Sequence, residues 1–127
     1  MPVPTANGVN TLVVLVVEDE FFVRYGIANA LRKAGYVVIE SGSGEEAVAL
    51  CGSNAQIDLL FTDINLGGSV SGWEVAERFR MGRPHGAILY TSGNEVDPKR
   101  CCPDGVFVAK PYQYGNILSA CEWLRTR

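Results

Sequence analysis

The chain has 127 residues, 47% of them hydrophobic, with a net charge of -3 and a pI near 5.1, which suits one domain around a single core. Scattered Lys and Arg on an acidic chain provide no field for a phosphate backbone, so nucleic-acid binding is disfavoured. The longest apolar run, Leu12 to Val17, is far short of the ~20 residues that cross a bilayer, and Met1 to Asn10 has no basic start followed by an apolar core. A soluble, cytoplasmic protein with no membrane partner is the expectation.

Met1 to Asn10, with Pro2, Pro4, Asn7 and Gly8, reads as a loose tail ahead of a domain over residues 11–127. Leu12 to Val17 predicts a buried strand. Val23, Ile27, Ala30, Leu31 and Ala34 then recur at helical spacing, and Gly35 stands where a helix often stops. Val37 to Ile39 predicts a second strand, and Ser43-Gly44-Glu45-Glu46 has the pattern of a capping box opening a helix through Ala47, Val48 and Cys51. Leu59 to Thr62 is the third strand. A glycine-rich stretch, Leu66 to Gly72, leads to a second capping box, Ser71-Gly72-Trp73-Glu74, and a helix that turns Ala76 and Phe79 inward before Gly82 and Pro84 end it.

Ala87 to Tyr90 predicts the fourth strand. Pro98, Pro103 and Gly105 leave little room for the helix that Ser92-Gly93-Asn94-Glu95 would otherwise cap, so a fourth helix is expected to be short or irregular. Val106 to Ala109 is the fifth strand, and Ile117, Leu118, Cys121 and Leu124 define a final amphipathic helix. Strands alternating with helices imply an α/β fold: a doubly wound parallel sheet with right-handed crossovers and helices on both faces.

Four strand ends carry polar chemistry. Glu18 and Asp19 follow the first strand, Asp63 the third, Thr91 the fourth and Lys110 the fifth, and in open parallel sheets ligands bind outside the carboxyl ends of the strands. Taken singly these residues are ordinary: Glu18 and Asp19 can begin a helix, Asp63 can be a turn residue, Thr91 can end a strand and Lys110 can be a solvated charge. Together they make a site. Glu18, Asp19 and Asp63 repel one another unless a cation neutralises them, and all-oxygen ligation with a backbone carbonyl, such as that of Asn65, suits magnesium. Lys110 and the Thr91 hydroxyl add donors for further negative oxygens, which points to a phosphoryl group on an aspartate nucleophile.

Val16-Val17-Glu18-Asp19, Leu60-Phe61-Thr62-Asp63-Ile64-Asn65, Leu89-Tyr90-Thr91-Ser92-Gly93 and Phe107-Val108-Ala109-Lys110-Pro111 stand in the order of the response-regulator receiver domain of bacterial two-component signalling, which the chain resembles over nearly its whole length. The resemblance implies the flavodoxin-like strand order 2-1-3-4-5. It also implies that Asp63 accepts a phosphoryl group from a sensor histidine kinase or histidine phosphotransfer protein. Asp19, Asp63 and the Asn65 carbonyl would hold Mg2+, with Glu18 assisting through water. Thr91 and Lys110 would contact the phosphoryl, and Thr91 and Phe107 would form the switch, with Phe107 turning inward. A cis Lys110-Pro111 bond is typical of the family. The chain would be a phosphoacceptor rather than an enzyme acting on other molecules, and ending at Arg127 it would act alone through a downstream protein partner.

Three features depart from the family pattern. The Leu66 to Gly72 loop is glycine-rich and long where proline is common, which predicts a flexible turn; Gly93 replaces a side chain that influences dephosphorylation in relatives; and the fourth helix is weak. Gly67-Gly68 lacks the G-x-x-x-x-G-K-[ST] continuation of a phosphate loop, so no nucleotide cofactor is expected. His85 is expected in an exposed loop, Trp73 and Trp123 as packing residues, and Tyr112, Gln113 and Tyr114 on a partner surface or over the sheet edge. Cys51, Cys101, Cys102 and Cys121 show no C-x-x-C spacing, so reduced thiols are expected. The alternatives are a degenerate receiver that binds constitutively and a magnesium-dependent phosphatase; Asn65 in place of the second acid of a D-x-D pair disfavours the latter.

Overall fold

The computed structural model describes residues 12–127, so the tail expected over Met1 to Asn10 lies outside the described residues. Five strands, β1 (Val13–Val17), β2 (Val37–Ser41), β3 (Leu59–Asp63), β4 (Ala87–Ser92) and β5 (Val106–Ala109), form one parallel sheet in the order β2-β1-β3-β4-β5. Every residue of β1 and β3 is buried, as expected for apolar runs sandwiched between helices. β2 and β4 run on to Ser41 and Ser92, past the expected Ile39 and Tyr90, because polar residues at strand ends still pair with their neighbours: Val17 with Ser41, and Ser92 with Ala109.

Helices α1 (Phe21–Lys33) and α4 (Tyr114–Arg125) cover one face, where Ile27, Leu31, Ile117, Cys121 and Leu124 pack on Val14, Val16, Phe61 and Leu89. Helices α2 (Gly44–Cys51) and α3 (Gly72–Gly82) cover the other, where Ala47, Cys51, Val75 and Phe79 pack on Leu15, Leu60 and Ile88. The α1 stripe ends at Leu31; Ala34 is the exposed cap residue, and Gly35 follows with φ 102, a left-handed conformation that favours glycine. Ser71 and Glu74 form the full reciprocal capping box expected of α3. The box at α2 is only half made: Ser43 Oγ accepts from the Glu46 N–H, but the Glu46 carboxylate turns to Gly42 N and Ser41 Oγ instead.

Between β4 and β5 the fourth helix is reduced to one 3-10 turn at Pro98–Arg100, as the prolines dictated. A cleft of about 580 Å3 opens beside it, lined by Trp73, Arg80, Tyr90, Arg100 and Cys102 among others. Trp73 packs against the Tyr90 ring at 5.3 Å, but Trp123 corrects the expectation: its ring is 54% exposed beneath Arg127, since the buried stripe of α4 runs through Ile117, Cys121 and Leu124. Cys51 and Cys121 are buried free thiols, and Cys101 and Cys102 are half-buried and also free. Among the described residues no helix is long and apolar enough to cross a membrane.

Candidate functional site

Parallel register gathers the four strand ends at one edge of the sheet. Val17 pairs with Thr62 and Asp63 with Thr91, so the residues just beyond β1 and β3 emerge side by side. Lys110 N donates to Ser92 O at 2.9 Å, which fixes the lysine immediately past β5. Its ammonium then crosses to both acids, with Nζ 2.9 Å from Glu18 Oε1 and 3.0 Å from Asp63 Oδ2.

Each carboxylate has a second donor. The Glu20 N–H reaches Glu18 Oε2 at 3.1 Å and the Asn65 N–H reaches Asp63 Oδ1 at 3.2 Å. Asp19 is exposed but not free, because the Gly67 N–H donates to its Oδ2 at 2.9 Å. Glu18 and Asp63 are buried, 1% and 5% exposed, while Lys110 is half-buried. Burial pushes the Glu18 carboxyl above its ordinary value, against the hydrogen bonds from Lys110 and Glu20, and the Asp63 charge adds to the rise. Partial burial alone would lower the Lys110 ammonium; the hydrogen bonds and charges of Glu18 and Asp63 outweigh it and hold the group above its usual value.

Glu18, Asp19 and Asp63 each offer an oxygen within 4.8 Å of the others, two buried and one exposed. Three carboxylates against one ammonium leave two negative charges uncompensated, which fits a divalent cation, and the exposed Asp19 side fits one that keeps part of its water shell. The Thr91 hydroxyl is the clearest sign of a further ligand: Oγ1 is buried with no hydrogen-bond partner among the described residues, on the residue paired with Asp63. Buried hydroxyls are rarely left so. The Lys110-Pro111 bond is cis, and Phe107 is turned outward, 37% exposed on the edge strand.

Other expectations resolve around this site. Tyr112 packs edge-on against Phe61 at 6.3 Å, so it belongs to the core cover, whereas Gln113 and Tyr114 are exposed. His85 is exposed, two residues before β4 begins at Ala87, whereas Thr91 lies near the other end of that strand. The Gly67-Gly68 segment is a bend, tied through Gly67 N to Asp19, and next to it Ser69 N and Oγ donate to Glu45 Oε2 at 3.1 and 3.0 Å. Neither tie was read from the sequence. The available signal was the pair of glycines itself, since a Cβ at Gly67 would lie 2.9 Å from Asp19 Oδ2 and one at Gly68 2.7 Å from Glu45 Oε2.

A five-stranded parallel sheet with an acidic cluster, a bridging lysine and an unpartnered threonine at its carboxyl edge defines a receiver-type α/β domain. The model of the response regulator receiver domain matches residues 14–122, and the chain belongs to that family. It is 30% identical over 104 residues to a cyclic di-GMP phosphodiesterase of Thermotoga maritima, covering 79% of this chain and 27% of that protein. It is 27% identical over 113 residues to the transcriptional regulatory protein PdtaR of Mycobacterium tuberculosis, covering 86% of this chain and 54% of that protein. The chain thus spans at most about half the length of these two relatives. Among solved structures, a response regulator receiver protein from Sinorhizobium medicae superposes with a TM-score of 0.88 at 28% identity, covering 91% of this chain and 95% of that one. The receiver domain of the hybrid histidine kinase CckA gives a TM-score of 0.77 at 30% identity, covering 89% of this chain and 98% of that one. Receiver domains bind Mg2+ at an acidic pocket and interact with histidine kinases or phosphotransfer proteins and with downstream effectors.

Proposed function

We propose that the chain is a phosphoacceptor of two-component signalling in which Asp63 takes a phosphoryl group from a phosphohistidine of a sensor kinase or phosphotransfer protein. The observation that carries the reading is the pairing of a lysine-bridged Asp63 with an unpartnered, buried Thr91 hydroxyl on the adjacent strand. Asp63 oxygen attacks phosphorus, the P–O bond forms as the P–N bond breaks, and the leaving imidazole takes a proton. Lys110 is within reach of the acceptor carboxylate and can follow the charge onto the new phosphoryl oxygens, while Thr91 Oγ1 donates to one of them.

Glu18, Asp19 and Asp63, with the Asn65 carbonyl, would hold Mg2+, which when bound supplies charge neutralisation at the phosphoryl oxygens. Once Thr91 is engaged, Phe107 turns inward from its exposed position and the β4–β5 edge presents a changed surface to a downstream protein. In this reading the chain assists only its own phosphorylation and dephosphorylation, in the cytoplasm, and is not an enzyme acting on other substrates. Incubation with a small-molecule phosphoryl donor and Mg2+, followed by intact-mass measurement, tests it. One base-labile phosphoryl adduct is expected, absent from Asp63→Asn; an unmodified wild-type chain, or an adduct that survives that substitution, sinks the proposal.

A further inference from the structure

We propose that Glu45, on α2, is a positioning residue for the acidic site: it holds the glycine-rich loop so that the Gly67 N–H fixes the Asp19 carboxylate for a divalent cation. The proposal rests on the reading of Asp19 as a metal ligand. The relay has three links, Glu45 Oε2 to Ser69 N and Oγ at 3.1 and 3.0 Å, the short Gly67 to Ser69 backbone, and Gly67 N to Asp19 Oδ2 at 2.9 Å. A hydrogen bond from its own backbone N–H, and then those from Ser69, hold the Glu45 carboxyl below its ordinary value.

The far end of the loop is seated by two close approaches. A Cβ at Gly44 would lie 2.4 Å from Val70 O, and one at Gly72 would lie 2.2 Å from Asp63 O, so the chain leaving the loop is pressed between the start of α2 and the end of β3. With its far end anchored there, the Glu45 contact decides where Gly67 sits. A metal-ligating carboxylate whose other lone pairs are fixed by an N–H loses less freedom on binding, and loss of such an outer partner typically weakens metal affinity about 10- to 100-fold. Glu45 acts one residue bridge further out, and the expected loss is about 3- to 10-fold.

The test is Mg2+ titration by calorimetry on the full chain, with no phosphoryl donor, alongside amide exchange at Gly67. Glu45→Ala should bind Mg2+ about 3- to 10-fold more weakly and exchange its Gly67 amide faster, while Glu45→Gln, which keeps an acceptor for Ser69 but not the charge, should stay near wild type. Gly68→Ala, whose new methyl must push the Glu45 carboxylate aside, should reproduce the alanine result with Glu45 still present. Equal weakening in Glu45→Gln and Glu45→Ala overturns the proposal, because loss of charge alone would then account for it. Wild-type affinity in Glu45→Ala with binding lost in Asp19→Asn also overturns it, leaving the metal reading intact. Failure of the wild-type chain to bind Mg2+ overturns both.

Discussion

Replacing Lys110 with methionine separates the two roles the structure gives its charge. At 4.8 Å and an effective dielectric near 20, each pair of carboxylates in the cluster repels by about 3 kcal/mol. Lys110 offsets this through contacts of 2.9 and 3.0 Å to Glu18 and Asp63. Deleting one partner of a buried ion pair costs about 3–5 kcal/mol, and the partial exposure of Lys110 places this case at or below the low end, about 2–3 kcal/mol. The Lys110→Met chain in chelator should therefore melt roughly 10 °C below wild type. Mg2+ has the opposite dependence: the cluster now lacks three compensating charges rather than two, so the cation is worth more to the variant. Wild type should gain about 2.7 kcal/mol, or roughly 10 °C, at a hundredfold excess over the dissociation constant, and Lys110→Met should gain more. Thermal melts with and without Mg2+ read both. An unchanged melting point in chelator, or a smaller Mg2+ response in the variant, refutes the charge argument.

Native alkylation at neutral pH should modify Cys101 and Cys102 while sparing Cys51 and Cys121, with all four thiols reacting in denaturant; mass spectrometry counts them. Burial pushes the Cys121 thiol and the Tyr112 phenol up to about 12, from ordinary values of 9.0 and 10.0. Both are raised on folding, so the stability they contribute is complete below about pH 9 and is lost as pH rises toward 12. Urea midpoints across that range should fall, and fall less steeply in Tyr112→Phe. Gly72→Ala places a Cβ 2.2 Å from Asp63 O, and the forced backbone shift should cost about 1–3 kcal/mol. It should also slow adduct formation at Asp63 in the intact-mass assay, whereas Gly82→Ala, whose Cβ meets nothing, should leave the rate unchanged.

The sheet was legible because β1 and β3 are buried on both faces and write themselves as unbroken apolar runs, Val13–Val17 and Leu59 to Thr62. The site was legible for a related reason. A parallel sheet puts every carboxyl end on one edge, so Glu18, Asp63, Thr91 and Lys110 needed only the strand ends to be located. The hydrogen bonds from the loop were not legible, because two of the three are made by backbone N–H groups, which every residue carries and no residue type advertises; the third comes from the Ser69 hydroxyl. Trp123 misled for another reason: its apolar ring suggested burial, but its place on α4 lies off the stripe set by Ile117, Cys121 and Leu124.

The Pro98–Arg100 turn has an energetic consequence of its own. None of its own residues is buried, so displacing it gives up the Arg100 contact over the Trp73 ring but little of the roughly 25 cal/mol per Å2 that unpacking an amphipathic helix would cost. The turn itself therefore has an opening free energy far below that of β1 or β3, while Val96, Cys101 and Cys102 on either side of it stay packed on the core. In the proposed switch, a change at Thr91 would meet little elastic resistance where it reaches this turn.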